Sequence, residues 1–350
     1  MGKVKREFFT DGNGQTMLRI SNGSEYKVDG SNVLHRDLDS IMYRLDYKLP
    51  PISTMGFTDV MDFKQFLIEE VSNELNLPLD EMQTMFKQKN SVDLLKPLED
   101  DWKSNRDCAR LYQNPHYLLE TLHCNLFVSC EFNKTINNMG KNCTIDNILR
   151  TFHLLDLWDK PIHIGDWGAG MGLTTLWMAA AMPKSTVYYI EINPPSKRIF
   201  SKLVKRLGLT NVVFVEDVKD LPKLDVSVCI EYIEHIPHSS AFNTGDVMQA
   251  TDEVLSYTKD DGFFMYSTKW NEGKKEEVSL GHFSFYDFDG DVVEILPRTK
   301  KPHMQLVKKM QKRGWNVLNG NPKKTKWDFR YHKPYVFSKK YNAQTIPLLK

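Results

Sequence analysis

Between residues 57 and 155 the apolar positions recur every three or four residues. In DVMDFKQFLIEEVSNELN they fall at Val60, Phe63, Phe66, Leu67, Val71 and Leu75, the stripe of an amphipathic helix. NPHYLLETLHCNLFV and TIDNILRTFHLLDLW read the same way, the second with Thr144 as its N-cap. Nearer the start the period is two. TMLRI and EYKV flank SNGS, where Asn22-Gly23 is a hairpin turn. YKLPPIST at 47–54 is an extended connector, because each proline fixes its own φ and restricts the residue before it.

From about residue 161 short apolar runs alternate with helical ones. IHIGDWG is a strand, LTTLWMAAAM a helix and TVYYIEI a strand. PSKRIFSKLVKRLG is a helix closed by Gly208, NVVFVED a strand and LDVSVCIEYI a buried strand. TGDVMQATDEVLSYT is a helix, GFFMYSTKW a strand and MQLVKKMQKRG a helix. WNVLNG and YHKPYVFSKK then form two last strands, a closing hairpin at one edge. This order predicts an α/β fold with a doubly wound, mostly parallel Rossmann-like sheet. The chain divides into an accessory region at 1–150, a short β hairpin followed by helices, and an α/β domain at 151–350. The helices of 57–155 either have their own core or cover that domain.

Composition changes this picture in one place. The 350 residues are 41% hydrophobic and carry a net charge of +1. From Arg298 to Lys350, however, 15 lysines and arginines face one acid, Asp328. Such a segment fits an anionic partner such as nucleic acid, or a set of solvated helix and loop faces. The five cysteines, Cys108, Cys124, Cys130, Cys143 and Cys229, form no CxxC pair and read as reduced thiols. MGKVKREFF is followed by no apolar leader core, Arg6 stands where a myristoylation signal needs Ser or Thr, and no apolar run reaches membrane-spanning length. A soluble, cytoplasmic protein with no membrane partner is expected.

Candidate chemistry starts at HIGDWGAGMGLTTL. Gly168, Gly170 and Gly172 lie where the first strand of the alternation turns into its first helix. Glycines there let a ligand approach the main chain at the carboxyl edge of a parallel sheet, where such folds hold ligands. The spacing is not G-x-G-x-x-G, since Leu173 stands where a dinucleotide fingerprint needs its third glycine. A dehydrogenase is therefore disfavoured.

With DWGAGMG, VYYIE, FVEDVKDLP and LDVSVCIEYIEHI in this order, residues 160–340 resemble the class I S-adenosylmethionine-dependent methyltransferases. The resemblance implies S-adenosylmethionine as cofactor. The loop at Gly168, Gly170 and Gly172 would face its methionine part, and Asp166 would orient the loop or meet the amino group. Glu191 would accept hydrogen bonds from both ribose hydroxyls. Asp217 would accept from the adenine amino group, with Val218 against the ring. Trp167 within the loop is unusual.

The fourth of these strands ends in IEYIEHIPH. On one helical turn Glu231, Glu234 and His235 would converge, a donor set suited to a divalent metal such as Mg²⁺, Mn²⁺ or Zn²⁺. GHFSFYDF adds His282, while His238 after Pro237 reads as a loop residue. This set is similar to an ExxEH subgroup that includes the small-RNA 3′-terminal 2′-O-methyltransferases and ubiquinone-pathway O-methyltransferases. The resemblance implies a metal that holds adjacent substrate hydroxyls, with Glu231 and His235 as catalytic residues and His235 as an alternative general base. The Pro-Pro pairs of KLPPI and INPPS match the subgroup's own motif poorly.

Three readings remain open at this stage. The first is O-methylation of a hydroxyl on nucleic acid such as RNA. Here the basic segment, interleaved with Trp315, Trp327, Phe329 and Tyr331, would bind phosphates and stack bases. The same aromatics also suit a core hairpin. The second is a small-molecule methyltransferase whose pocket the helical region closes. The third is a cofactor-binding protein without turnover.

Overall fold

The computed structural model describes residues 6–10, 12, 16–20, 25–27, 60–82, 100–101, 104–105, 108–119, 121–122, 148–149, 151–152, 155–230, 232–233, 247–267, 306, 308–318 and 335–341. Near the start, β1 (Arg6–Thr10), β2 (Thr16–Ile20) and β3 (Glu25–Lys27) form an antiparallel meander. The two strands expected to flank SNGS pair antiparallel, and the turn itself lies outside the described residues. REFFT adds a third strand that the period-two reading did not include, and its register sets Phe8 opposite Leu18. In helix α1 (Val60–Leu75) Leu67 and Val71 of the predicted stripe are fully buried, and Phe66 and Leu75 pack against the same core. A short helix α2 (Cys108–Gln113) follows. The expected N-cap Thr144 lies outside the described residues.

The α/β alternation is observed as β4 (His163–Trp167), α3 (Leu173–Ala181), β5 (Thr186–Ile190), α4 (Pro194–Leu207), β6 (Val212–Phe214), β7 (Leu224–Ile230), α5 (Val247–Tyr257), β8 (Thr258–Ser267), β9 (Asn316–Val317) and β10 (Tyr335–Ser338). The strand order is β6-β5-β4-β7-β8-β10-β9. The first five strands in that row are mutually parallel, and β10 runs antiparallel to both β8 and β9. The fold is thus the α/β, doubly wound, mostly parallel Rossmann-like sheet expected from the sequence. The closing pair is antiparallel, as expected of its two strands, but β10 inserts beside β8 and leaves the two-residue β9 as the edge. Helix α4 ends as predicted, at a left-handed Gly208.

Side chains alternate between the two faces of the sheet, as strand geometry requires. Ile164, Val226, Val228, Phe263 and Met265 enter one core with Leu176, Trp177, Ile199, Phe200 and Leu203 of α3 and α4. Leu67, Val71, Leu111, Leu118, Leu119 and Leu122 of the accessory region belong to the same core, as does Phe152 just after it. Trp167, Cys229, Phe264 and Tyr266 point to the other face, where Val254, Leu306, Met310 and Trp315 cover them. Cys229 is buried and in no disulfide, as expected, and Trp315 proves to be a core residue. No described helix is long and apolar enough to cross a membrane.

Candidate functional site

The parallel strands β4 and β5 lie side by side, so their carboxyl ends bring Asp166, the glycine loop and Glu191 together. Trp167 is the last residue of β4 rather than a member of the loop, and its ring is buried against the second core. The loop then folds back on the end of β5. The amides of Gly168 and Ala169 donate to the Ile190 carbonyl at 2.9 and 3.1 Å. The Tyr189 hydroxyl donates to the Gly170 carbonyl at 2.5 Å, and the Gly170 amide donates to Glu191 Oε2 at 2.7 Å.

Gly168 and Gly172 both have positive φ, +66° and +76°. That region costs an ordinary residue energy and costs glycine almost none. Each is also crowded by a ring of the protein itself. A Cβ at Gly168 would lie 2.3 Å from Tyr232 Cδ2, and one at Gly172 would lie 2.3 Å from Phe200 Cδ2. Room for a ligand is therefore not the whole reason for glycine here. Gly172 also begins α3 with no side-chain cap, so the positive end of that helix opens onto the loop.

Asp166 is buried beneath the loop. Its Oδ2 accepts the Thr175 hydroxyl at 2.6 Å, which ties the end of β4 to the first turn of α3. Burial pushes its pKa up to about 7, against the opposing pull of Thr175, and the nearby Glu191 charge adds to the rise. Glu191, the first residue after β5, is buried as well. Its Oε1 accepts the amides of Ile192 and Asn193, both at 2.8 Å, and its Oε2 accepts Gly170. Burial raises its pKa too, while those three amides and Lys197 pull it down. A carboxylate offers about four acceptor positions. Three are taken, which leaves one on Oε2.

Asp217 does not end β6, which stops at Phe214. It sits beyond the strand, exposed, where its Oδ1 accepts the Lys219 amide at 2.9 Å and caps a short 3-10 turn. Val218 opens that turn and packs on the second core. Sequence reasoning missed two neighbours of Glu191. Ile192 is 47% exposed, an apolar side chain left open beside the carboxylate. Asn193 is fully buried and caps α4 through the Ser196 amide. Asn before Pro-Pro was the available signal for that cap.

Glu231, Glu234, His235, His238 and His282 lie outside the described residues. Among the described residues no group of three His, Cys, Asp or Glu side chains is placed to hold a metal ion. Of the basic segment, Arg313 pairs with Asp252, Lys339 with Asp260 at 2.6 Å, and Lys340 with Asp261 at 3.4 Å. Lys339 also lies over the Trp315 ring, 5.3 Å from its centroid. Lys308, Lys309 and Lys312 are exposed on a helical run at 308–312.

No family model matches the chain, and no curated protein does. Solved structures do. Precorrin-6y C5,15-methyltransferase from Geobacter metallireducens is similar over 33% of this chain and 57% of its own, at 23% identity and a TM-score of 0.25. M. jannaschii TYW2 in complex with AdoMet is similar over 55% and 72%, at 18% identity and a TM-score of 0.31. A SAM dependent methyltransferase from Aquifex aeolicus is similar over 55% and 86%, at 14% identity and a TM-score of 0.34. The match thus spans little more than half of the first of these chains. At these scores the likeness carries no argument of its own. Strand order and register of this chain establish its fold.

Proposed function

We propose that the chain binds S-adenosylmethionine at the carboxyl ends of β4, β5 and β6 and transfers its methyl group to an oxygen acceptor. The observation that carries this reading is the bond from the loop amide of Gly170 to Glu191, which joins the glycine turn and the acid of the next strand in one site. The open end of α3 suits the carboxylate of the methionine part. The remaining position on Glu191 Oε2 suits one ribose hydroxyl, and a second would replace the Gly170 amide. Ile192 and Val218 are apolar flanks for the adenine, with Asp217 as acceptor for its amino group. The cofactor supplies an electrophilic methyl on a sulfonium. The protein's part is to hold that methyl in line with the acceptor.

The acceptor proposed is a nucleic-acid hydroxyl, with RNA first. Lys308, Lys309 and Lys312 support it as a phosphate-facing group. Glu231, Glu234, His235 and His282 would hold a divalent ion, which would lower the pKa of that hydroxyl. Without a metal, His235 serves as the base. A small-molecule acceptor is favoured by one observation: Arg313, Lys339 and Lys340 are engaged by acids of the α/β domain, which makes part of the basic segment structural.

The test is transfer of labelled methyl from S-adenosylmethionine to total RNA, denatured DNA and a small-molecule extract, each with and without EDTA. Label in RNA that is lost on chelation is the expected result. Label in the extract alone, indifferent to EDTA, selects the small-molecule reading and removes the metal. Binding of the cofactor with no label anywhere identifies a protein without turnover.

A further inference from the structure

Asn193 joins three parts of the molecule. Its Oδ1 accepts the Ser196 amide at 2.8 Å and closes the first turn of α4, where Pro194 and Pro195 offer no N–H. Its own amide donates to Glu191 Oε1 at 2.8 Å. Its Nδ2 donates to the Tyr112 carbonyl at 2.5 Å and lies 3.5 Å from the Asn114 carbonyl. One buried amide side chain thus connects the candidate ribose acid with a segment some 80 residues earlier in the chain.

That segment arrives at Asn193 already ordered by its own contacts. Asn114 Nδ2 donates to Asp101 Oδ2 at 3.1 Å, and Asn114 Oδ1 accepts the His116 amide at 3.0 Å. The rings of Tyr112 and Tyr117 lie 4.5 Å apart. Leu111, Leu118 and Leu119 are buried in the core that also holds Phe200. Farther along α4, Arg198 and Lys202 pair with Glu74 and Glu70 of α1. The accessory region therefore grips α4 at its start and along its length. At the start the grip is one residue removed from the carboxylate.

We propose that Asn193 is a positioning residue for cofactor binding, through which the accessory segment 108–119 holds Glu191 in the orientation that meets the ribose. This rests on reading the site as an S-adenosylmethionine pocket. Without the Nδ2 bond, residue 193 is held only from the α4 side, through Ser196 and Lys197, and its peptide can shift with that helix. Its amide then leaves Oε1, and Glu191 loses one of the three donors that fix its plane. Coupling of this kind is reciprocal, so a ligand on Glu191 stiffens the segment in return.

The experiment measures S-adenosylhomocysteine and its 2′,3′-dideoxy analogue by titration calorimetry on the full chain, wild type, Asn193→Asp and Asn193→Ser. Asp and Ser both cap helices as well as Asn. Asp, however, sets a carboxylate oxygen against two carbonyls, and Ser is too short to reach them. Both variants are expected to lose about tenfold in affinity for S-adenosylhomocysteine. The dideoxy analogue offers Glu191 no hydroxyl, so its affinity should change little. Unchanged affinity for the parent ligand, or equal losses for both ligands, overturns the inference. Wild type that binds neither ligand overturns the pocket reading instead, and the inference falls with it. Should neither variant fold, amide exchange on the wild type decides. S-adenosylhomocysteine should slow exchange at Tyr117, Leu118 and Leu119, which close the turns after Asn114. Slowing at Asn193 with none at those three amides overturns the coupling.

Discussion

The two faces of the central sheet are covered by different parts of the chain. One is packed by α3, α4 and the accessory helices in a single continuous core. The other is closed by α5 and the carboxyl-terminal residues Leu306, Met310 and Trp315. The glycine loop stands at the seam and is backed from both. Gly172 leans on Phe200, which is fully buried with ring centroids 4.6 Å from Tyr189 and 5.7 Å from Phe214. Gly168 leans on Tyr232, partly exposed, with its ring centroid 6.5 Å from Trp167. Two glycines of one motif, both left-handed, therefore stand against walls of unequal stiffness. A glycine requirement that reads as room for a ligand is enforced as much by the protein's own rings.

The sharpest way to break this comparison is Gly172→Ala. A left-handed alanine costs about 1–2 kcal/mol, and overpacking against a ring that cannot retreat costs about 1–3 more. A loss of about 3 kcal/mol in a urea titration is expected. Phe200→Leu in the same chain should restore part of it as a non-additive coupling. A loss of only about 1–2 kcal/mol, the backbone term alone, would mean that Phe200 yields and the two walls are alike.

A smaller effect lies deeper on the same face. Thr175→Val removes the one hydroxyl that donates to the Asp166 carboxylate. It should cost about 2 kcal/mol where that carboxylate is charged and less where it is protonated. Asp166 titrates near 7, above its ordinary value, because it is buried. The folded chain thus keeps this proton between about pH 4 and pH 7, where the unfolded chain has lost it. The contribution to stability is full below about pH 4 and falls as pH rises through 7. Asp166→Asn should flatten that decline. A wild-type stability that rises between pH 5 and pH 7 by as much as the variant's would place the Asp166 proton elsewhere.

Gly168→Ala should be milder, about 2 kcal/mol from the backbone and some overpacking, since Tyr232 is only half-buried whereas Phe200 is fully buried. Its larger consequence is for binding. The displaced ring and the shifted loop amides should weaken S-adenosylhomocysteine more than they weaken the fold. Equal stability losses for Gly168→Ala and Gly172→Ala, read side by side in urea, would erase the distinction between the faces.

What the sequence shows of this site follows from how local each signal is. The strand-helix alternation, the glycine turn and the acid after VYYI are short-range patterns, and the elements follow in the predicted order, though β6 stops three residues short of Asp217 and β8 starts earlier, at Thr258. The Phe200 and Tyr232 walls are long-range contacts, and no spacing rule connects position 172 with a ring 28 residues later. The lock on Glu191 was hidden for another reason. Its donors are backbone amides, which every residue but proline carries, so no residue type marks them. Accessory helices predicted from their stripe could be given a core but not a partner. Their shared core with α3 and α4 is a tertiary fact. Asn193 was legible as a cap, from Asn before Pro-Pro, though its tie to Tyr112 was not.

The second face offers the smallest effect and the one that bears on the acceptor. Arg313 is held by Asp252 of α5, whereas Lys308 and Lys312 are exposed on the same helical run. An exposed pair of this kind contributes at most about 1 kcal/mol, so Arg313→Ala should barely move stability. The informative readout is the salt dependence of RNA binding. Each cation that sits on a phosphate adds about 0.7 to 0.9 to the slope of log affinity against log salt. Lys308→Ala and Lys312→Ala should each lower the slope by about that much, while Arg313→Ala, whose charge is already engaged, should leave it unchanged. If all three substitutions are silent, this face is a solvated surface and the nucleic-acid acceptor loses its support there. If Arg313→Ala lowers the slope as much as the lysines do, its pairing with Asp252 yields to phosphate and the whole basic run is the contact.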